Sequence, residues 1–308
     1  MTRLRQSGDL ELRPVVTEAD VEAYLDIRNR VEPADPLTLA GFHASRRRPD
    51  RIDLLALLDR VPVGMGFVGR NIEDPASRYA FGRVGVLREQ RRRGIGTELF
   101  RALSEHARSL GRHGLVVEVR EDEEDARDYL RKREYETVLR SEELVLDLGS
   151  TQVRVGVPVG VDIVPLVGEP LERLAHDATV EIARDLPAVE TVVTPPFNDW
   201  RAEVLGGSVL RRCSFAAVAE GVVVGVGFLY ARPWGAVHGL TGVRAACRRR
   251  GIARAIKCAQ IHAAKAAGLR ELRTSNEEAN APIRRLNQDL GYRPLLAWVQ
   301  LRGPLIVA

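Results

Sequence analysis

The chain has 308 residues, 45% of them apolar and 29% charged. That length exceeds one ordinary domain and suits two, and the composition excludes disordered and fibrous classes. No apolar run is long enough to cross a bilayer and the N-terminus leads into no signal-peptide core; a formal charge of +4 fits an anionic small ligand but is low for a dedicated nucleic-acid binder.

In chain order, residues 1–8 read as a loose tail. Leu10, Leu12 and Pro14 suggest a first strand, and Thr17-Glu18-Ala19-Asp20 a helix start. A second helix or loop covers residues 37–45, and Arg46-Arg47-Arg48 reads as a solvated charge cluster. Residues 54–58 and 61–68 form a predicted hairpin turning at Asp59-Arg60, and residues 79–86 the next strand. An Arg/Gly loop, a helix over 97–110 and a buried-type strand over 115–119 follow. The acidic run 121–125 opens a helix through Tyr129 and Leu130, and residues 143–148 make a last strand.

Residues 149–160, rich in Gly, Ser, Thr, Val and Pro, are the one plausible linker. Beyond it come a strand over 161–166, a helix over 170–186, and an irregular proline-rich loop over 187–199 leading into a helix with Trp200. A hairpin over 215–219 and 222–230 turns at Glu220-Gly221, and the strand 236–243 runs into a second Arg/Gly loop. A helix to Gly268, a strand over 269–276, a helix over 282–290 closed by Gly291 and a strand over 298–301 end the chain. One offset takes Gly94 to Gly251, Gly111 to Gly268, Val119 to Asn276 and Tyr135 to Tyr292 without a gap. The repeat is of domain size. The expectation is a mixed α/β chain of two tandem copies, residues 1–149 and 150–308, each a mostly antiparallel mixed sheet flanked by helices.

The repeated loop reads Arg91-Arg92-Arg93-Gly94-Ile95-Gly96-Thr97 after Val86, and Arg248-Arg249-Arg250-Gly251-Ile252-Ala253-Arg254 after Val243. The first turn of a helix leaves N–H groups unpaired and carries the positive end of the dipole, so a phosphate can sit there; flanking arginines add charge-assisted contacts. A triphosphate P-loop needs Gly-Lys-Ser/Thr, and a dinucleotide loop needs a third glycine where Leu99 and Ile256 stand. The remaining pattern, Arg-x-x-Gly-x-Gly/Ala between strand and helix, resembles the coenzyme A loop of the GNAT superfamily of N-acetyltransferases. Thr274-Ser275-Asn276, Asn280-Ala281-Pro282-Ile283, Asn287 and Leu290-Gly291-Tyr292 resemble the C-terminal half of tandem GNAT proteins, a group that includes mycothiol synthase.

The resemblance implies a sheet that splays open beside the loop, with the pantetheine arm of acetyl-CoA in the gap. It implies direct attack of an amine on the thioester, helped by a base, by an oxyanion-binding backbone N–H near Val243 or Val86, and by an acid for the departing thiolate. Many relatives place a tyrosine as that acid where this chain has Asn287 and Leu130. Asn287, Tyr292 and His238 are the catalytic candidates, and Asn276 is a candidate contact to the coenzyme. The second copy keeps more of the pattern and is the expected catalytic half, while the first is expected to be degenerate. The acceptor is an unidentified small-molecule or peptide amine, with no metal, no membrane and a monomeric chain. Cys213, Cys247 and Cys258 are odd in number and scattered, which suits a reducing cytoplasm. Two rivals stay open: a non-catalytic acyl-CoA-binding scaffold, and an arginine-rich nucleic-acid module.

Overall fold

The computed structural model describes residues 9–46, 50–71, 77–154, 156–186 and 192–306. The tail 1–8, Arg47 and Arg48 of the first arginine triplet, Val155 of the linker and residues 187–191 of the proline-rich loop lie outside the described residues. The chain is mixed α/β and divides into two compact units, Met1–Val138 with Val299–Ala308, and Leu139–Trp298.

In the first unit, β1 (Leu10–Pro14), β2 (Ile52–Leu58), β3 (Val61–Arg70) and β4 (Tyr79–Val86) pair antiparallel in that order. The β2–β3 hairpin turns on Asp59 and Arg60, both at positive φ, as a two-residue hairpin requires. Helix α1 (Glu18–Val31) starts at a capping box in which Thr17 and Asp20 satisfy each other's backbone N–H groups. With α2 (Leu39–Ser45) it covers one face, where Tyr24, Ile27 and Phe42 bury against Leu55, Leu57 and Met65. Helix α3 (Ile95–Ser109) covers the other face with Leu99, Phe100 and Leu103. Strand β5 (Gly114–Arg120) runs parallel to β4, and α4 (Glu124–Arg131) follows it.

The chain then enters β6 (Glu136–Asp147), most of which belongs to the second unit; the first unit is completed by the end of β12 (Arg293–Pro304). Val299 and Leu301 join the α3-side core, and the Tyr135 hydroxyl donates to the Pro304 carbonyl at 2.8 Å. Gly303 lies under the Tyr135 ring, where an added Cβ would stand 2.4 Å from the ring. Gly303→Ala is therefore expected to destabilise the protein by about 1–3 kcal/mol through overpacking, read as a lowered urea midpoint. An unchanged midpoint would remove β12 from this core.

In the second unit, β6 pairs antiparallel with β11 (Glu271–Glu277), and the order continues through β10 (Gly235–Val243), β9 (Val222–Arg232), β8 (Phe215–Ala219) and β7 (Asp162–Pro165). Helices α5 (Glu169–Ala183) and α6 (Phe197–Val204) cover one face with Trp200, Ile182 and Phe228. The buried Glu172 carboxylate accepts from Arg201 at 2.6 Å and from Arg211, which ties α5 to α6. Helices α7 (Ile252–Ala266) and α8 (Ala281–Asp289) cover the other face.

The element order follows the sequence expectation, with three differences. Helix α6 starts at Phe197, inside the stretch expected to be irregular. The closing strands, expected at 143–148 and 298–301, are β6 and β12, each 12 residues long. Their first halves, ETVLRS and RPLLAW, are half-exposed and do not alternate between apolar and polar residues, so no period-2 signal marks them. Finally, the compact units do not coincide with the two copies. Residues 139–147 group with the second copy and 299–308 with the first, so the first copy gives up most of β6 and the second gives up half of β12.

Candidate functional site

The two Arg/Gly loops have one backbone. A single 3-10 turn leaves each strand, then an extended arginine (Arg91 φ −65°, ψ 164°; Arg248 φ −66°, ψ 164°) precedes a left-handed arginine (Arg92 φ 65°; Arg249 φ 62°). Left-handed glycines, Gly94 at φ 83° and Gly251 at φ 80°, then cap α3 and α7. The φ favours glycine at both positions, and an added Cβ would project into open space at the helix N-terminus, where an anion would sit. The first backbone bonds return to the glycine carbonyls from Thr97, Glu98 and Ala255, so the N–H groups before them point out of the helix, as an anion site requires.

The leading arginine of each loop braces it rather than reaching outward. Arg91 donates to the Val86 carbonyl at 3.2 Å and pairs with Glu123 at 2.7 Å; Arg248 donates to the Val243 carbonyl at 3.1 Å and pairs with Asp185 at 2.6 Å. Arg92 pairs with Asp125, and Arg254 stands 3.9 Å from Asp289. Arg93, Arg249 and Arg250 are exposed, whereas Ile95 and Ile252 bury into the cores and anchor the helices.

Above each loop the sheet opens. Strand β4 pairs with β5 only from Tyr79 to Gly82, and β10 pairs with β11 only at Ala236 and Val237. The two gaps then differ. The β3–β4 ladder is regular to Val86, whereas β10 bulges against β9 between His238 and Thr241. Ala80 pairs with Leu115 and Ala236 with Leu272, the matching residue of the repeat, yet Ala236 lies one residue further from its loop. The bulge absorbs that residue and frees backbone at Gly239 and Leu240, on a strand whose other edge has already lost β11. Val86 and Val243 sit instead in ordinary pairs, with Gly64 and Gly225.

In the second unit, Asn276 on β11 and Asn287 on α8 are fully buried, and the Asn287 amide donates to Asn276 Oδ1 at 2.9 Å. That leaves Asn276 Nδ2 and Asn287 Oδ1 without partners, one donor and one acceptor. At the apex of the gap, His238 Nε2 stands 2.6 Å from the Tyr292 hydroxyl. Lys257 Nζ lies 5.4 Å from the centre of the Tyr292 ring and has no hydrogen-bond partner. Gln260 lies against the imidazole without hydrogen-bond geometry, so both its amide atoms and His238 Nδ1 are unpartnered. Burial, then the Lys257 charge, holds the His238 imidazole well below its ordinary pKa; burial raises that of the Tyr292 phenol and pushes Lys257 down to about 7.

The first unit fills the same place with charge. Arg83 and Glu118, the first residues past the last β4–β5 backbone pair, join at 2.7 Å, and Arg83 also holds Glu32 at 2.7 Å beside Arg28. These ion pairs tie β4 to β5 where the sheet would otherwise part.

The structure thus brings His238 to Tyr292 and Asn276 to Asn287, both pairs within the second unit. His262 is exposed, with its ring on the Cys258 carbonyl. Phe197, Trp200 and Tyr230 pack in the α5-side core, and Trp234 lies under Arg273. Sequence reasoning passed over Lys257, Gln260, Thr241 and Arg83. The available signal was Lys257 and Gln260 falling at i, i+3 on the apolar stripe of α7. Among the described residues no group of His, Cys, Asp and Glu is arranged to hold a metal, and no helix is long and apolar enough to cross a membrane.

Residues 16–135 match the model of the acetyltransferase (GNAT) family. No curated protein matches the chain. Among solved structures, a tandem GNAT protein from the clavulanic acid biosynthesis pathway aligns with TM-score 0.78 at 20% identity, covering 97% of this chain and 100% of that one. A GCN5-related N-acetyltransferase from Sphaerobacter thermophilus aligns with TM-score 0.77 at 18% identity, over 97% and 96%. Another from Kribbella flavida aligns with TM-score 0.53 at 17% identity, over 78% and 86%. At these identities the structures speak for the fold.

Proposed function

Because residues 16–135 are a GNAT acetyltransferase domain and the chain carries the fold of a tandem GNAT protein, we propose that this acyltransferase moves an acetyl group from acetyl-CoA to the amine of a small molecule or peptide, and that the second unit does so. The observation that carries the choice of unit is the bulge in β10. A bulge leaves backbone N–H groups unpaired in mid-strand, at a gap that no ion pair between the two strands closes, where an oxyanion would need them. In the first unit the regular β4 and the Arg83–Glu118 pair occupy that place. The family match covers residues 16–135, which include the Gly94-Ile95-Gly96 loop, and we assign that half to support of the fold.

In this scheme the N–H groups around Gly251 to Ala253 hold the pyrophosphate. The unpartnered donor of Asn276 and acceptor of Asn287 meet a pantetheine amide, which offers one of each. The amine attacks the thioester carbon; the C–N bond forms, the C–S bond breaks, and a base takes the ammonium proton. A thiol pKa near ~8.5 makes thiolate a fair leaving group, and the Tyr292 phenol backed by His238 is the proton donor we assign to it. Two copies in one chain support a monomer, and the buried thiols of Cys213 and Cys258 support a reducing, cytoplasmic setting.

The test is thiol release from acetyl-CoA across a panel of primary amines, with calorimetric titration of acetyl-CoA. Turnover with at least one amine is expected. Binding without turnover would leave a coenzyme-binding scaffold, which the asparagine at 287 favours; no binding would sink both. Asn287→Leu is expected to raise the KM for acetyl-CoA about tenfold, the cost of one buried hydrogen bond to an amide. The double variant Asn276→Leu/Asn287→Leu should recover the stability lost in the single one while binding stays weak. Recovery of binding as well would make the pair purely structural.

A further inference from the structure

Lys257 and Gln260 stand with His238 at the apex of the gap, and neither Lys257 nor Gln260 has work in the scheme above. Lys257 is 1% exposed, Gln260 0% and His238 6%, and Lys257 Nζ, His238 Nδ1 and both amide atoms of Gln260 lack partners. Burying an unpaired amide or ammonium is expensive, and native chains keep few such groups without use. The fold does not demand them. By the offset that takes Gly94 to Gly251, the first copy has Phe100 for Lys257 and Leu103 for Gln260, both buried in the α3-side core. Its Tyr135 hydroxyl is satisfied by the Pro304 carbonyl, where Tyr292 turns to His238. Strand β9 also makes room: at Gly227 an added Cβ would lie 3.1 Å from Gln260 Nε2 and 2.5 Å from Ile256.

The three groups agree in what they offer. With the phenol O–H donating to Nε2, the imidazole proton sits on Nδ1, so His238 presents a donor. Lys257 presents three when protonated, and the Gln260 amide two more beside its one acceptor oxygen. Donors dominate, one of them cationic, and the buried carboxylates among the described residues, Asp20, Asp53 and Glu172, pair elsewhere, with Arg13, Arg51 and Arg201. The matching ligand is a carboxylate. His238 is the first residue of β10 beyond its pairing with β11, one position before the bulge. The cluster therefore lies where an acyl chain would continue past its thioester carbonyl.

We propose that the second unit takes an acyl-CoA whose acyl group ends in a carboxylate, a dicarboxylic monothioester of about succinyl length, held by Lys257, Gln260 and His238. The proposal rests on the acyltransfer scheme above and names its donor. The chemistry is unchanged: the C–N bond forms, the C–S bond breaks, and the distal carboxylate keeps its charge throughout.

The test compares affinities of the intact chain for succinyl-CoA, butyryl-CoA and acetyl-CoA. Butyryl has the same carbon chain without the carboxylate. A charged hydrogen-bonded contact of this kind corresponds to about 10- to 100-fold in affinity. Succinyl-CoA should bind tighter than butyryl-CoA by about that factor, and Lys257→Met should erase the difference while butyryl-CoA still binds. Equal binding of the two by the wild type, or a preference that survives in Lys257→Met, overturns the proposal. Binding of acetyl-CoA with no succinyl preference would overturn this inference alone, whereas failure of all three thioesters to bind would remove the acyltransfer scheme beneath it.

Discussion

Gly251→Glu is expected to abolish acyl transfer, lowering kcat/KM by at least about 100-fold, while Gly94→Glu leaves it within about threefold. The number follows from losing two or more charge-assisted hydrogen bonds to a pyrophosphate, each about 1.5–3 kcal/mol. At φ 80° a residue with a Cβ is strained by about 1–2 kcal/mol, but the nearest atom to that Cβ is Pro158 Cγ at 3.9 Å, so the fold has room for it. A carboxylate at a helix N-terminus also favours the helix through its dipole. The variant should therefore fold and fail, because its carboxylate takes the anion's place and repels the phosphates. Initial rates of thiol release, with thermal melts of both variants, read the outcome. Loss of turnover in Gly94→Glu with retention in Gly251→Glu would move the catalytic assignment to the first unit and would mean that the Arg83–Glu118 pair opens on binding.

Lys257→Met is expected to stabilise the ligand-free protein at neutral pH, on the order of 2–4 kcal/mol, with the gain fading toward pH 10. The folded pKa of Lys257 is depressed to about 7 by burial, against about 10.4 for an exposed lysine. Between those values the unfolded chain holds the proton that the folded chain has released. Unfolding then takes up a proton, and stability rises with pH through this window. Below pH 7 the full penalty of a buried ammonium is present; above about 10.4 it is gone. His238, its pKa held well below the ordinary value first by burial and then by the Lys257 charge, makes a further contribution of the same sign that ends near its unfolded pKa of about 6.5. Urea melts of wild type and variant from pH 5 to 10 separate the two. The variant should lose the slope above pH 7 and keep the slope below 6.5. A wild-type stability that is flat from pH 7 to 10 would mean that Lys257 is solvated or paired. Methionine suits the comparison because it matches lysine in length and the first copy already carries an apolar side chain there.

Much of this molecule was legible from residues alone. Hydrophobic periodicity and turn residues placed β1, the β2–β3 and β8–β9 hairpins and helices α3 and α7, because each depends on local pattern and local φ/ψ. The loop was legible for the same reason. Glycine after three arginines, between a strand and an apolar helix, has few backbone solutions, and both copies adopt the same one. Asn276 and Asn287 were singled out through the family pattern, and a hydrogen bond joins them.

The rest is decided by contacts distant in sequence. The bulge at Gly239 and Leu240 exists only relative to β9, so no pattern within residues 235–243 announces it. Whether an arginine reaches a ligand or braces its own loop depends on partners such as Glu123 and Asp185, which lie 32 and 63 positions away. Lys257 looks like a surface residue until the opposing strand and Tyr292 close over it. The repeat itself was in the sequence, but the exchange of its closing strands was not. Residues 141–147 pair with β11, and 299–304 bury Val299 and Leu301 against α3. Backbone groups at a sheet edge accept any strand of suitable register, so only the assembled core chooses which one.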